Sequence, residues 1–546
     1  MPSGPIPPPS SPADADAVVV GAGPNGLVAA NLLADAGWTV VVLERAAEPG
    51  GAVRTAELTA PGFANDRFSA FYPFAAASPV LARLRLGDHG LRWAHAEHVL
   101  AHPTPDGPTA VLSRDLDVTA ASLDDFAPGD GDGWRDLIAL WDRISGPAVD
   151  ALLSPFPPVR AGTRLAVAAR RDGIGRLGRL AVQPVRSLAH DQFRGEGGAL
   201  LLAGNALHTD LTPETAGSGL FGWLLAALGQ RVGFPAPVGG AQRLTDALVA
   251  RLASLGGSVH TGVEVTRIAI ESGRAVGVTC ADGTRVGARR AVLADVGAPQ
   301  LLLQMVDRDL VPDRVVDALH RFEYDAATCK VDWAVSSPIP WASEESRRAG
   351  TVHVASSLDE LSEHAFHLAT GQVPAHPFLL VGQMTTTDPT RSPPGTESAW
   401  AYTHLPHQVR GDGGDDGIGA SGTLTAADVE RFADRIEDRI EALAPGFRDL
   451  VIARHVAGPA DLEDADPNLV GGAVNGGTAQ LHQQLVFRPY PGLGRAETPI
   501  RGLYLASASA HPGGGVHGGP GANAARAALA HDRLRRWVAP VLRLGR

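Results

Sequence analysis

A glycine turn set between a buried strand and a helix limits the fold of this chain more than any other feature does. Val18, Val19 and Val20 form a short apolar run, Gly21-Ala22-Gly23-Pro24-Asn25-Gly26 follows at once, and a helical pattern runs from about Gly26 to Ala36. A second apolar strand pattern, Trp38 to Leu43, comes next. This order predicts a βαβ unit of a doubly wound parallel sheet. In such a unit the first glycine makes the tight turn, the second lets a diphosphate approach the backbone, and the third packs helix against strand. The helix N-terminus presents N–H groups and a positive dipole end to that anion. Glu44 closes the second strand about twenty residues on, where a carboxylate reaches the ribose hydroxyls of a dinucleotide and repels a 2′-phosphate.

Past Glu44 come Arg45 and then Gly50-Gly51-Ala52-Val53-Arg54-Thr55. A nicotinamide dinucleotide has no need of a second glycine pair. A cofactor lying extended across the domain does, because the chain must again pass close to the diphosphate, and Arg54 can pair with it. The competing reading of Arg54 is an ordinary surface cation. Near the other terminus, His511-Pro512-Gly513-Gly514-Gly515-Val516-His517-Gly518 lies between a strand pattern, Leu503 to Ala506, and a helix from about Gly521. Successive glycines let a planar ring reach the backbone, and a helix N-terminus there stabilises negative charge on it. Together these features predict FAD. The expected contacts on the N-terminal side are Gly21, Gly23, Pro24, Asn25, Gly26, Glu44, Arg45, Gly50, Gly51, Arg54 and Thr55.

At 546 residues the chain calls for at least two domains. The predicted fold class is α/β: a Rossmann-like FAD-binding domain built on a doubly wound parallel sheet, interleaved with an α+β substrate domain. The first is expected from 17–100, 234–311 and 457–546, and the second from 101–233 and 312–456. Met1 to Asp16, rich in Pro, Ser and Ala, reads as a disordered tail and not as a signal peptide. His407 to Ser421, rich in Gly and Asp, reads as a mobile loop. A net charge of -12 argues against a nucleic-acid partner and fits an acidic cytoplasmic enzyme. No apolar run is long enough to span a membrane. The two cysteines, Cys280 and Cys329, form no Cys-x-x-Cys pair, which sets disulfide-reductase chemistry aside. Oligomeric state has no signature here.

Gly21 to Thr55, Thr261 to Val265, and Thr498 to Leu505 with His511 to Gly518 resemble the phytoene-desaturase-like flavoproteins. Among these the chain is similar to the bacterial carotenoid-ketolase-like enzymes and the pyridine nucleotide-disulfide oxidoreductase domain 2 group. The resemblance implies that Val265 meets the adenine through its backbone. It also implies that Gly514, Gly515 and Val516 lie against the isoalloxazine, with His517 at its edge and the last helix aimed at the pyrimidine end.

For the chemistry, the candidates are Lys330 and His511. Lys330 is the only lysine in the chain and lies in the strand-like Thr328-Cys329-Lys330-Val331-Asp332-Trp333. The segment resembles the strand on which flavin amine oxidases hold a lysine bridged by water to flavin N5. A desolvated lysine can act as a base or assist oxygen; the alternative is a surface cation. His511 and His517 flank the glycines and reach the flavin edge or bond the loop backbone. Gln484 and Arg488 line the pocket or pack behind it. Phe68, Phe71, Tyr72 and Phe74 wall an apolar channel or form a core cluster. His364 and His367 lack a third ligand, so no metal is expected. The arginine-studded Val159 to Arg194 is either a solvated helical face or a surface for peripheral contact with an anionic membrane.

The expected function is FAD-dependent dehydrogenation or desaturation of a largely apolar small molecule by hydride transfer to flavin N5. Two alternatives stand beside it: a flavin amine oxidase, and a non-enzymatic lipid-binding protein of the kind represented by Rab GDP-dissociation inhibitors.

Overall fold

A computed structural model describes residues 15–543, apart from Asp106, Asp172 and Leu493. Two sheets organise them. The first has a parallel core in the order Leu503–Leu505, Arg285–Ala294, Ala15–Val20, Val40–Leu43, Ser258–His260. Its register sets Val18 beside both Val292 and Val41. Helices cover both faces, so Val18, Val19 and Val42 are fully buried, which is why these strands read as unbroken apolar runs. The antiparallel hairpin of Val265–Glu271 and Arg274–Cys280 extends the sheet from the first half of Arg285–Ala294. Its turn places Ser272 and Gly273 at φ 51° and 72°, the mirror-image turn that suits the strand twist.

The second sheet runs Val451–Ala457, Ala327–Val335, Glu397–Leu405, Leu379–Gln383, Ala349–Val354, His98–Pro103, Thr109–Leu112. Neighbours are antiparallel except Ala349–Val354 with His98–Pro103. On one face Val331 and Trp333 pack against Phe432, Ile436 and Ile440 of the helix Ala426–Leu443. That helix starts with a capping box between Thr425 and Asp428, and its Glu437 accepts a hydrogen bond from the Trp333 indole at 2.8 Å. The other face meets the apolar helices Gly197–Ala206 and Ser218–Val232.

Three expectations need correction. The tail was drawn to residue 16, but Ala15 and Asp16 open the first strand, where the Asp16 carboxylate is paired with Arg289 and Arg290; residues 1–14 lie outside the described residues. The domain boundary at 100 falls inside His98–Pro103, a strand of the second sheet, because the chain crosses over before that strand and not after it. The Gly/Asp-rich stretch at 407–421 is fastened: Arg435 donates to Asp412 at 2.8 Å and to Asp416 at 2.6 Å.

Candidate active site

The first strand ends in a turn that leaves no room for side chains. Gly21 has φ +92°, and a Cβ there would lie 2.9 Å from the Asp295 carbonyl. A Cβ on Gly23 would lie 2.6 Å from Asp295 Oδ2, and one on Gly26 would lie 2.3 Å from the Gly21 carbonyl. The helix Pro24–Asp35 begins here with Pro at its start and no acidic residue of its own in its first turn. The Asn25 Oδ1 is buried beside the turn without a hydrogen-bond partner.

Asp295 was not anticipated. It follows the strand beside the first one, and its Oδ2 accepts the Gly26 N–H at 2.7 Å. Burial pushes its carboxyl up to about 7, against the Gly26 bond; Asp466 and Glu44 push in the same direction as burial. An acid just beyond a parallel strand, at the switch point where ligands bind, was the available signal.

Glu44 is held from both sides: Oε2 accepts the Ala22 N–H at 2.7 Å and Oε1 the Ala46 N–H at 2.8 Å. Gly51 passes so close to the first turn that a Cβ would stand 3.2 Å from the Gly23 Cα. Arg54 is 8% exposed; Nε donates to the Gly51 carbonyl and Nη2 to the Ala465 carbonyl, each at 2.8 Å. It is therefore a held cation at the lip of the cleft and not a loose surface charge. Arg45 is half exposed and pairs with Glu264 at 4.0 Å.

At the C-terminal loop, a Cβ on Gly514 would lie 2.8 Å from the Asn475 carbonyl, and one on Gly515 would lie 3.3 Å from the Phe74 ring. The helix Gly519–Arg543 crosses Pro24–Asp35 where Gly521 meets the Asn25 carbonyl, a Cβ distance of 2.0 Å. Two helix N-termini thus converge on one cleft of about 440 Å³. Gly21, Gly23, Pro24, Asn25, Glu44, Arg45, Gly51, Arg54, Val265, Gly514, Gly515 and Val516 all line it, with Asp295 and Asp466.

Several expected contacts lie elsewhere. Gly26 sits behind the turn against Asp295, and Gly50 donates its N–H to the Ala22 carbonyl at 2.9 Å. Thr55 donates to Asp66 at 2.7 Å, away from the lining. His517 accepts the Gly519 N–H on Nδ1 at 3.0 Å and is buried, which holds it neutral at about 4. His511, also pushed down to about 4 by burial, donates from Nε2 to the Ser154 carbonyl at 3.0 Å. Both histidines fasten the loop, and neither lines the cleft.

Lys330 does not line it either: it is 3% exposed in Ala327–Val335 and bonded to Asp332 at 2.5 Å. It lies opposite Tyr402, on the sheet face where Trp400 meets Phe71 at 6.0 Å between ring centroids. The four aromatics divide. Phe68 underlies Arg54, Tyr72 joins the core of the first sheet, Phe71 meets Trp400 of the second sheet, and Phe74 lies against Gly515 and His517 of the C-terminal loop. Gln484 donates to the Thr478 carbonyl at 2.8 Å, and His364 accepts the Phe378 N–H at 3.3 Å.

The Val159 to Arg194 region forms short surface helices in which Arg164 pairs with Asp150 and Arg179 with Asp191. Among the described residues no helix is long and apolar enough to cross a membrane.

The profile of the family described as flavin containing amine oxidoreductase matches residues 25–366. The chain belongs to this family. It is an FAD-dependent oxidoreductase with the fold of the FAD amine oxidases. The chain is 28% identical to the mouse pyridine nucleotide-disulfide oxidoreductase domain-containing protein 2 over 93% of its length and 92% of the relative's. It is 25% identical to the lycopene-forming phytoene desaturase of Pseudescherichia vulneris, over 95% and 99% of the two chains. Wild-type putrescine oxidase bound to putrescine superposes with a TM-score of 0.60 at 18% identity, covering 95% of this chain and 99% of that one.

The cradle fits FAD: Gly21, Gly23 and Gly51 bring bare backbone to the cleft wall, the orphaned Asn25 Oδ1 can accept from a cofactor hydroxyl, and Arg54 supplies a cation for the diphosphate. Asp295 adds a pH dependence. Its folded-state value of about 7 lies above the unfolded value near 4, so it contributes stability below about pH 4 that is lost as pH rises through 7. Above pH 7 the ionised carboxylate also repels the diphosphate. The FAD dissociation constant should therefore rise up to tenfold per pH unit from about pH 7, and Asp295→Asn should flatten that profile. Titration of apoprotein with FAD at pH 6 to 9 reads both.

Proposed function

We propose that this flavoenzyme dehydrogenates a largely apolar small molecule, introducing a carbon–carbon double bond. The observation that carries this reading is the surface facing the glycine loop. Phe74 packs on Gly515, Phe71 meets Trp400 at a tilt of 51°, and Trp400 stacks near Tyr402 with centroids 6.0 Å apart. The charges on this face, Lys330 and Asp332, neutralise each other. An apolar chain is favoured in such surroundings, since a cationic substrate would lose its hydration without a free carboxylate to replace it. The likeness to phytoene desaturase supports the same substrate class.

In desaturation one carbon gives up a hydride and its neighbour a proton, which passes to a base and out to solvent, and the electron pair of that second C–H bond becomes the double bond. Bound FAD supplies the hydride acceptor, N5. The aromatic wall orients the chain and excludes water. We further propose that the Lys330–Asp332 pair, with Lys330 over Trp400 at 5.9 Å from the ring centroid, holds in place the aromatic wall that orients the substrate. Replacing both charges, Lys330→Met with Asp332→Asn, avoids stranding a buried carboxylate. It should slow anaerobic flavin reduction at least about tenfold, or about 1.4 kcal/mol in the barrier. An unchanged rate would return the pair to a packing role.

The direct test is anaerobic loss of flavin absorbance on mixing with substrates. Polyene and terpenoid hydrocarbons should bleach the flavin and yield products two hydrogens poorer. If only amines bleach it, with peroxide released in air, the desaturase reading fails and amine oxidation replaces it.

A further inference from the structure

Arg488 is among the largest side chains sealed completely inside the protein, and no carboxylate partner balances it among the described residues. Its guanidinium donates to the carbonyls of Thr478 at 2.9 Å, Gly476 at 3.1 Å and Ala508 at 2.8 Å. These carbonyls belong to two different loops, and both loops line the cleft, through Val474 and Gly476 on one and Ser507, Ala508 and Ser509 on the other. The third loop closes over the same group: a Cβ on Gly513 would stand 3.4 Å from the guanidinium carbon. Burial pushes Arg488 down to about 10, so it stays charged at neutral pH.

The nearest acids, Asp325 and Asp210, act on this charge through their field and make no ion-pair contact with it. Asp325 is committed to the N–H groups of Val474 and Asn475, each at 3.0 Å, and burial lifts its carboxyl to about 7. Asp210 accepts from Ala479 at 2.8 Å and from the Thr478 hydroxyl. Each of the two acids thus clasps the backbone of the 474–479 loop from outside while Arg488 holds its carbonyls from inside. A cation sealed in the interior carries a desolvation penalty that a Met or Leu of similar volume would not, so packing alone does not explain it.

We propose that Arg488 is a positioning residue for the flavin. It ties together the loops that seat the isoalloxazine and raises the reduction potential of the bound cofactor through its fixed positive charge. FAD gains negative charge on reduction, and a fixed cation behind its seat, in surroundings of low dielectric, favours the reduced form. The inference rests on the isoalloxazine lying against Gly514, Gly515 and Val516.

The test compares Arg488→Met, Arg488→Gln and Arg488→Lys for FAD dissociation constant and midpoint potential. Both neutral variants should bind FAD at least tenfold more weakly. Their potentials should fall by at least about 30 mV, a tenfold change in the equilibrium of a two-electron couple. The Lys variant keeps the charge and loses the fork, so it should bind weakly at the wild-type potential. A neutral variant with unaltered affinity and potential overturns the proposal. If the neutral variants fail to fold or to hold FAD, the Lys variant, measured at saturating FAD, decides: wild-type potential at weakened affinity supports the proposal, and wild-type affinity or a fall in potential of about 30 mV or more overturns it. Gly514→Val checks the underlying placement separately, since unchanged FAD affinity in that variant would sink the seat of the ring and not the role of Arg488.

Discussion

Gly26→Val should yield a protein that purifies without flavin and binds added FAD at least about a hundredfold more weakly, a loss of about 2.8 kcal/mol. A Cβ at this position would sit 2.3 Å from the Gly21 carbonyl and 3.1 Å from Asp295 Cβ. Neither neighbour is the end of a flexible side chain. The turn must therefore open, the helix Pro24–Asp35 must move off the strand, and the N–H bond from Gly26 to Asp295 must break. Overpacking of this kind costs about 1–3 kcal/mol in stability or more, in addition to the lost affinity. Gly162→Ala, in the helix Val159–Ala168 with nothing outside its chain neighbours within 4 Å of the added methyl, is the matching control. It should retain flavin and gain about 0.5–1 kcal/mol. Flavin-to-protein absorbance ratios and thermal melts read both variants, and a fully flavinated Gly26→Val protein would refute the account of the turn.

Gly521→Val should lower the melting temperature more than any single change on the second sheet's exposed edge, with FAD failing to restore it. Here a Cβ would approach the Asn25 carbonyl to 2.0 Å, so two helices cross with backbone against backbone. Separating them by the width of a methyl opens the packing of Ala522, Ala524 and Ala525 on Leu27 and Val28. It also splays the two N-termini that converge on the cleft. The expected loss is about 3 kcal/mol or more. Measurement by denaturant unfolding of the apoprotein keeps it distinct from cofactor loss, and a midpoint equal to that of the wild type would exclude the close crossing.

The cofactor domain was legible because its signals are local. Strand, glycine turn, helix and acid follow one another within thirty residues, and each glycine is demanded by its own immediate geometry. The hairpin at Ser272-Gly273 was readable for the same reason. The second sheet was much less so. Its seven strands come from six stretches of chain, and its order depends on pairings such as Ala349–Val354 with His98–Pro103, which no local pattern encodes. That is why the boundary at 100 fell within a strand.

The site shows the same division. Gly21, Glu44 and Arg54 were readable because a diphosphate and a ribose impose residue types at set spacings. Asp295, Asp325 and Arg488 were not, because each acts on backbone contributed by remote segments, and a single Asp or Arg has no signature until that backbone is beside it. Lys330 was conspicuous in sequence as the sole lysine, yet its partner Asp332, its burial and its place over Trp400 are properties of the folded sheet. Residue order alone therefore settled that an FAD cradle would form, since local sterics and helix dipoles require those residues. Which charges and which aromatic rings come to lie beside the glycine loop was decided by tertiary packing, because burial and proximity are what give those side chains their effect.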